Sequence, residues 1–179
     1  MKKLVIVTHP NIEQSMINRT WMDELRSHPK TFEVHELYKK YPDLNFDIEA
    51  EQALLYDFEE IIFQFPIHWY STPFALKKYI DEVFAYGWAF GPGGDRLQGK
   101  KIGLAVSAGG NRNSYEQGLK LPDLLNDLKL TFEYCGCEFT RMHSFYGVMF
   151  DPNDEAILEN ALAYVETFLK PSPVSVSSF

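Results

Sequence analysis

Hydrophobic residues along the chain fall into two kinds of run. Short, nearly unbroken ones occupy Leu4 to Val7, Ile61 to Phe65 and Ile102 to Val106. Such runs suit strands buried on both faces. Longer stretches between them repeat apolar residues at helical spacing. The sets are Ile17, Trp21, Met22 and Leu25; Leu76, Ile80, Val83 and Phe84; Leu124, Leu125, Leu128 and Phe132; and Ile157, Leu158, Ala161, Leu162, Val165 and Phe168. Each stripe fits an amphipathic helix laid on a sheet.

Taken in order, the pattern predicts a strand from about Lys3 to Thr8, then a helix capped by Ser15 and running to about His28. A second strand covers Phe32 to Leu37, and Tyr38 to Phe46 reads as a polar loop holding Pro42. Asp47 caps a short helix to about Tyr56. Pro66, with no N–H to give, stops the third strand. Thr72 reads as the N-cap of the next helix, with Pro73 in its first position. A fourth strand spans Lys101 to Ser107, and Asn111 to Lys120 reads as a polar loop containing Tyr115. A helix from Pro122 to about Cys135, a fifth strand within Glu138 to Phe150 and a helix from Asn153 to Lys170 complete the series.

Strands alternating with helices give an α/β protein. Right-handed crossovers then favour a doubly wound, five-stranded parallel sheet of order 2-1-3-4-5 with helices on both faces. The expected organisation is one domain over residues 1–170, followed by a flexible Pro/Ser/Val-rich tail at 171–179.

In such sheets ligands bind outside the carboxyl ends of the strands, where strand order reverses. Three loops meet there. The first, from His9 to Asn18, enters a helix whose free N–H groups suit an anion, with the His9 imidazole, Ser15 and Asn18 as further donors; a plain capped helix is the alternative. The second, Ile67-His68-Trp69-Tyr70, offers ring faces to a flat heteroaromatic ligand, or else packs under the following helix. The third, Ser107-Ala108-Gly109-Gly110, lets backbone N–H groups come close to a ligand, or is an ordinary Gly-Gly loop. Neither GxGxxG nor GxxxxGK[ST] occurs, which counts against a Rossmann dinucleotide site and excludes a P-loop.

Charge and composition narrow the classes. A net charge of −8 with no Lys/Arg patch argues against a nucleic-acid partner. No apolar run reaches the ~20 residues of a membrane span, so the expected compartment is the cytoplasm. Cys135 and Cys137 lack the further Cys or His ligands of a zinc site, so no metal is expected and both read as buried thiols.

The stretch from Asp47 to Phe84 carries Ala50-Glu51-Gln52, Phe63-Gln64-Phe65-Pro66, Trp69-Tyr70, Leu76-Lys77 and Asp81-Glu82-Val83-Phe84. With these motifs the chain resembles the flavodoxin-like NAD(P)H:quinone oxidoreductases, which include DT-diaphorase and the quinone reductases ancillary to bacterial potassium-efflux channels. The similarity runs from the first strand to at least Met149 and is strongest with the short bacterial members.

The resemblance implies FMN rather than FAD, with NAD(P)H as co-substrate, and two-electron transfer to a quinone-like small molecule in a ping-pong cycle. It places His9 beside the flavin phosphate and Ser15, Met16, Ile17 and Asn18 around it. Ile67, His68, Trp69 and Tyr70 then border the isoalloxazine, and Ser107, Ala108, Gly109 and Gly110 lie near its polar edge. Tyr115 matches a tyrosine near the flavin that steadies negative charge. Two departures stand out. Ser107-Ala108 replaces two threonines, and Leu121 stands near the position of that tyrosine's histidine partner.

An apolar slot over the site would draw on Trp69, Tyr86, Trp88 and Phe90. The resemblance also implies a homodimer, and for some relatives a membrane-transporter partner. Two other roles compete with the enzyme: a flavodoxin-type one-electron carrier, and a regulatory flavoprotein subunit of a transporter.

Overall fold

The computed structural model describes residues 2–170 apart from residue 119. The expected tail at 171–179 lies outside the described residues. Five parallel strands form one sheet of order β2-β1-β3-β4-β5. They are β1 (Lys3–Val7), β2 (Phe32–Glu36), β3 (Glu60–Pro66), β4 (Lys101–Ala108) and β5 (Glu138–Tyr146). In register, Val5 lies between Val34 and Ile62, and Phe63 lies beside Leu104.

The pleat sends alternate residues to opposite faces, and each face meets its own helices. Val5, Val7, Ile62 and Ala105 pack on α1 (Met16–Arg26) and α8 (Asp154–Leu169) through Ile17, Trp21, Leu25, Ile157, Ala161 and Phe168. Trp21 Nε1 donates to Asn160 Oδ1 at 2.9 Å, which ties the two helices together. On the other face, Leu4, Ile6, Ile61, Phe63, Leu104 and Val106 meet α3 (Ile48–Tyr56), α4 (Phe74–Val83), α6 (Leu121–Leu124) and α7 (Asn126–Tyr134). Phe63 stacks on Phe132 with centroids 5.1 Å apart. Each such buried side chain contributes roughly 1.5–3 kcal/mol. No helix among the described residues is long and apolar enough to cross a membrane.

Four local expectations need correction. The loop predicted from Tyr38 opens instead in a one-turn helix α2 (Leu37–Lys40), because Leu37 turns inward and is fully buried. The polar stretch after Asn111 holds α5 (Arg112–Glu116), since the Asn111 side chain accepts the Ser114 N–H and caps it. Thr72 is not an N-cap. Pro73 has ψ 144 and stands outside the helix, so α4 starts at Phe74 with no side-chain cap. The helix expected from Pro122 breaks at Leu125, whose φ −107, ψ 14 leaves the helical region while its side chain is buried. Ser15, Asp47 and Asn153 cap their helices as side-chain acceptors.

Between β2, α3 and α4 lies a knot that periodicity does not reveal. Glu51 is fully buried. Its Oε1 accepts from Tyr41 at 2.7 Å and Lys40 at 2.9 Å, and its Oε2 accepts from Tyr79 at 3.0 Å. The His35 ring nitrogen Nε2 lies 2.9 Å from the same Oε2. Burial pushes the Glu51 pKa up, but the His35, Lys40 and Tyr41 contacts outweigh it and bring it from 4.5 to about 2.

Candidate functional site

The strand order reverses between β1 and β3, and the loops leaving β1, β3 and β4 end together there. After β1, the His9 Nδ1 accepts the Asn11 N–H at 3.1 Å, so the proton of the neutral ring sits on Nε2. Burial, and then the nearby His68, lower the His9 pKa below 6.5. A 3₁₀ turn at Ile12–Gln14 delivers Ser15, whose Oγ accepts the Asn18 N–H at 3.1 Å. Met16 and Ile17 open the helix, where N–H groups have no partner inside it and the dipole is positive.

Asn18, expected among the phosphate donors, is buried. Its Nδ2 donates to Ser107 Oγ at 2.8 Å, and its carbonyl accepts Gln64 Nε2 at 2.9 Å. It therefore ties the ends of β3 and β4 to α1. Thr8 Oγ1, Asn18 Oδ1 and Gln64 Oε1 are buried without a hydrogen-bond partner. Each such atom costs about 1–3 kcal/mol. Thr8 and Gln64 escaped the sequence reading. The signal was a polar residue at the carboxyl end of each of two otherwise apolar strands.

The loop after β3 is a two-residue hairpin turn. His68 and Ser71 exchange both backbone bonds at 3.0 Å. Trp69 and Tyr70 between them have φ 48 and 63. Such a turn asks for Gly or Asn, so two large rings there are strained. Trp69 is 94% exposed and Tyr70 65%. The alternative in which they pack under the following helix is thereby excluded. Ile67 N–H bonds to the Ser107 carbonyl at 2.8 Å, which joins this loop to β4.

At the end of β4 the glycines serve the chain itself first. A Cβ at Gly109 would lie 2.9 Å from Met149 Sδ, and one at Gly110 would lie 3.2 Å from the Tyr115 ring. Gly147 N–H bonds to the Ala108 and Gly110 carbonyls, and Met149 N–H to that of Gly109. The pair thus admits the loop after β5. Tyr115 is buried, with its ring 5.6 Å from that of Tyr146. Burial, then Tyr70 and Tyr146 nearby, raise its pKa, so the phenol keeps its proton as a donor. Leu121, near the place of the missing histidine, is fully buried.

The slot expected from Trp69, Tyr86, Trp88 and Phe90 does not form within one chain. The last three follow α4, which runs back to the amino end of the sheet. There Trp88 borders Gln52, Tyr56 and Arg96. On the β2 side, the His9–Glu13 loop edges a cleft of about 370 Å³ shared with Arg26, Glu36, Tyr38 and Lys39.

The sequence matches the Flavodoxin_2 family, described as a flavodoxin-like fold, over residues 1–169. It is 43% identical over 153 residues to the uncharacterized NAD(P)H oxidoreductase YrkL of Bacillus subtilis (strain 168), covering 83% of this chain and 87% of that protein. To the uncharacterized NAD(P)H oxidoreductase YdeQ of the same strain it is 40% identical over 170 residues, covering 93% and 85%. The crystal structure of general stress protein 14 from Treponema denticola in complex with FMN superposes with a TM-score of 0.88 at 36% identity, covering 93% of this chain and 97% of that one.

Proposed function

Because the chain belongs to the Flavodoxin_2 family, we propose that it is an FMN-dependent NAD(P)H oxidoreductase that reduces quinone-like acceptors. One observation carries the reading. The three loops converge on one end of the sheet, where three buried polar atoms lack partners and the Trp69–Tyr70 turn stands in solvent. The FMN complex of the Treponema denticola relative and the names of the two Bacillus subtilis relatives support it.

The residues present fit such a group. The first N–H groups of α1, Ser15 Oγ and the His9 Nε2–H form a neutral donor set at a positive helix end, which suits a phosphate. Ile67, His68, Trp69 and Tyr70 supply the wall for a flat ring, and Trp69 and Tyr70 exclude water from its face. The Tyr115 hydroxyl and the backbone of Ser107 to Gly110 supply donors where negative charge builds up. Bound FMN supplies the two-electron chemistry between a nicotinamide donor and the acceptor. In this reading residues 1–170 act as one flavin-binding domain, located where NAD(P)H is made, in the cytoplasm.

The reading includes a homodimer. Tyr86 and Tyr134 are exposed beside a groove of about 310 Å³ with Ile80, Phe84 and Phe90, which suits burial against a second copy. The decisive experiment is to purify the protein, record its visible spectrum and identify any released flavin by chromatography. FMN release, bleaching by NADPH and recolouring by menadione are expected. A protein that refuses both FMN and FAD overturns the reading.

A further inference from the structure

The three site loops, taken as residues 9–18, 67–72 and 107–116, contain one Lys or Arg between them, Arg112. The chain as a whole carries a net charge of −8. A reduced nicotinamide nucleotide brings a diphosphate, and in NADPH a further 2′-phosphate. Such a ligand docking on an acidic protein needs a local cation.

Of the other cations near these loops, five pair with carboxylates, and Lys120 is exposed and forms no ion pair among the described residues. Arg26 and Lys39, at the cleft beside the first loop, both pair with Glu36. Arg19 donates to the Glu13 carbonyl and pairs with Glu13 and Asp23. On α4, Lys77 pairs with Asp81 and Lys78 with Glu82. Arg112 differs. Its guanidinium lies over the Tyr146 ring, 4.6 Å from the centroid, and that ring leans on Tyr115. Its carboxylate contact, Glu116 at 3.9 Å, joins two side chains that are each more than half exposed. Such a pair is weak and easily exchanged, as are the equally exposed Arg19–Asp23 and Lys77–Asp81 pairs, so what sets Arg112 apart is its stacking on the ring beside Tyr115.

We propose that Arg112, held over Tyr146 at the rim of the β4 loop, is the anchor for a phosphate group of the nicotinamide donor. A guanidinium offers a phosphate two parallel N–H bonds. Stacking on Tyr146 fixes its plane before the ligand arrives, so little further order is lost on binding. The diphosphate and the 2′-phosphate share this chemistry. The inference rests on the oxidoreductase reading above.

The test uses flavin-loaded protein with NADH and NADPH as donors and menadione as acceptor. Arg112→Gln is expected to raise the donor KM about tenfold, with kcat and the menadione KM within about twofold. Titration calorimetry with ADP-ribose and with 2′,5′-ADP reads the same loss without turnover. A loss for NADPH and 2′,5′-ADP alone assigns the 2′-phosphate; an equal loss for both donors and for ADP-ribose assigns the diphosphate. Arg112→Lys, which keeps the charge, should recover part of the loss. Unchanged donor KM and nucleotide affinity overturn the proposal, as does an effect confined to kcat or flavin content. Wild-type protein that binds flavin but never oxidises either donor overturns instead the reading on which it rests.

Discussion

Among the described residues, two of the buried polar clusters are finished to different degrees. Around Glu51, one carboxylate meets Tyr41, Tyr79, Lys40 and the His35 ring. At the carboxyl ends of β1 and β3 and the start of α1, Thr8, Asn18 and Gln64 each keep a buried oxygen without a partner. Both Glu51 oxygens accept hydrogen bonds, although the His35 Nε2 beside them makes no aligned one; three acceptors left open in one place are a cost that folding alone does not explain. The second cluster also sits beside the strained, solvent-facing Trp69–Tyr70 turn. Strain, exposed rings and unpaired polar atoms at one place are what a ligand relieves. The contrast separates support from site using nothing but hydrogen bonds and exposure.

The largest test of the contrast removes the supporting carboxylate. Glu51→Ala leaves Lys40, Tyr41 and Tyr79 without their acceptor and should cost about 3–5 kcal/mol. Thermal unfolding of the flavin-free protein should then come about 10 °C lower. FMN affinity, measured where the variant is folded, should stay within about threefold. An unchanged melting temperature would remove the distinction between the two clusters.

Acid offers a milder form of the same test. The folded pKa of Glu51 lies at about 2, below its ordinary 4.5. A depressed carboxylate pKa means stability that is fully present above 4.5 and is lost as pH falls from there through 2. The contribution is roughly 3 kcal/mol. Urea midpoints of the wild type should therefore drop between pH 5 and pH 3 more steeply than those of Glu51→Gln. Parallel acid limbs would show that Glu51 is not the group responsible.

On the other side of the contrast, stability and binding should move in opposite directions. Trp69 is held at φ 48 with 94% of its surface in solvent. Trp69→Gly relaxes that backbone and should stabilise the flavin-free protein by about 0.5–1 kcal/mol. It should also weaken FMN binding about tenfold, as read by fluorescence quenching. A variant that loses stability would show that the ring supports the fold.

The supporting architecture was legible because it rests on periodicity. Apolar runs at Leu4, Ile61 and Ile102 and helical stripes such as Ile17-Trp21-Leu25 are enough to derive the sheet and its order 2-1-3-4-5. Loop chemistry was legible where residue type speaks for itself, as with Ser15 at a helix start or rings at 69 and 70. What stayed hidden depends on partners distant in sequence. Glu51 looks like its helix neighbour Glu49, and its contacts come from β2, α2 and α4. The bond from Asn18 to Ser107, 89 residues away, likewise has no trace in the local sequence. Thr72 was misplaced by one step of geometry, since the extended ψ of Pro73 moves the helix start to Phe74.

Ser15 belongs to both sides of the contrast, which makes it the finest probe. Its Oγ accepts the Asn18 N–H and so caps α1. The same atom stands among the donors proposed for phosphate. Ser15→Ala removes the cap and should cost the flavin-free protein about 1 kcal/mol. Ser15→Asp restores an acceptor at that place and puts a negative charge at the positive end of the helix, so stability should return to the wild-type value or slightly exceed it. The carboxylate would at the same time oppose a phosphate, and FMN should bind severalfold more weakly. Riboflavin, which lacks the phosphate, should bind wild type and Ser15→Asp alike. If riboflavin affinity falls as far as FMN affinity does, the helix start holds some other part of the ligand, and the phosphate belongs elsewhere on the sheet edge.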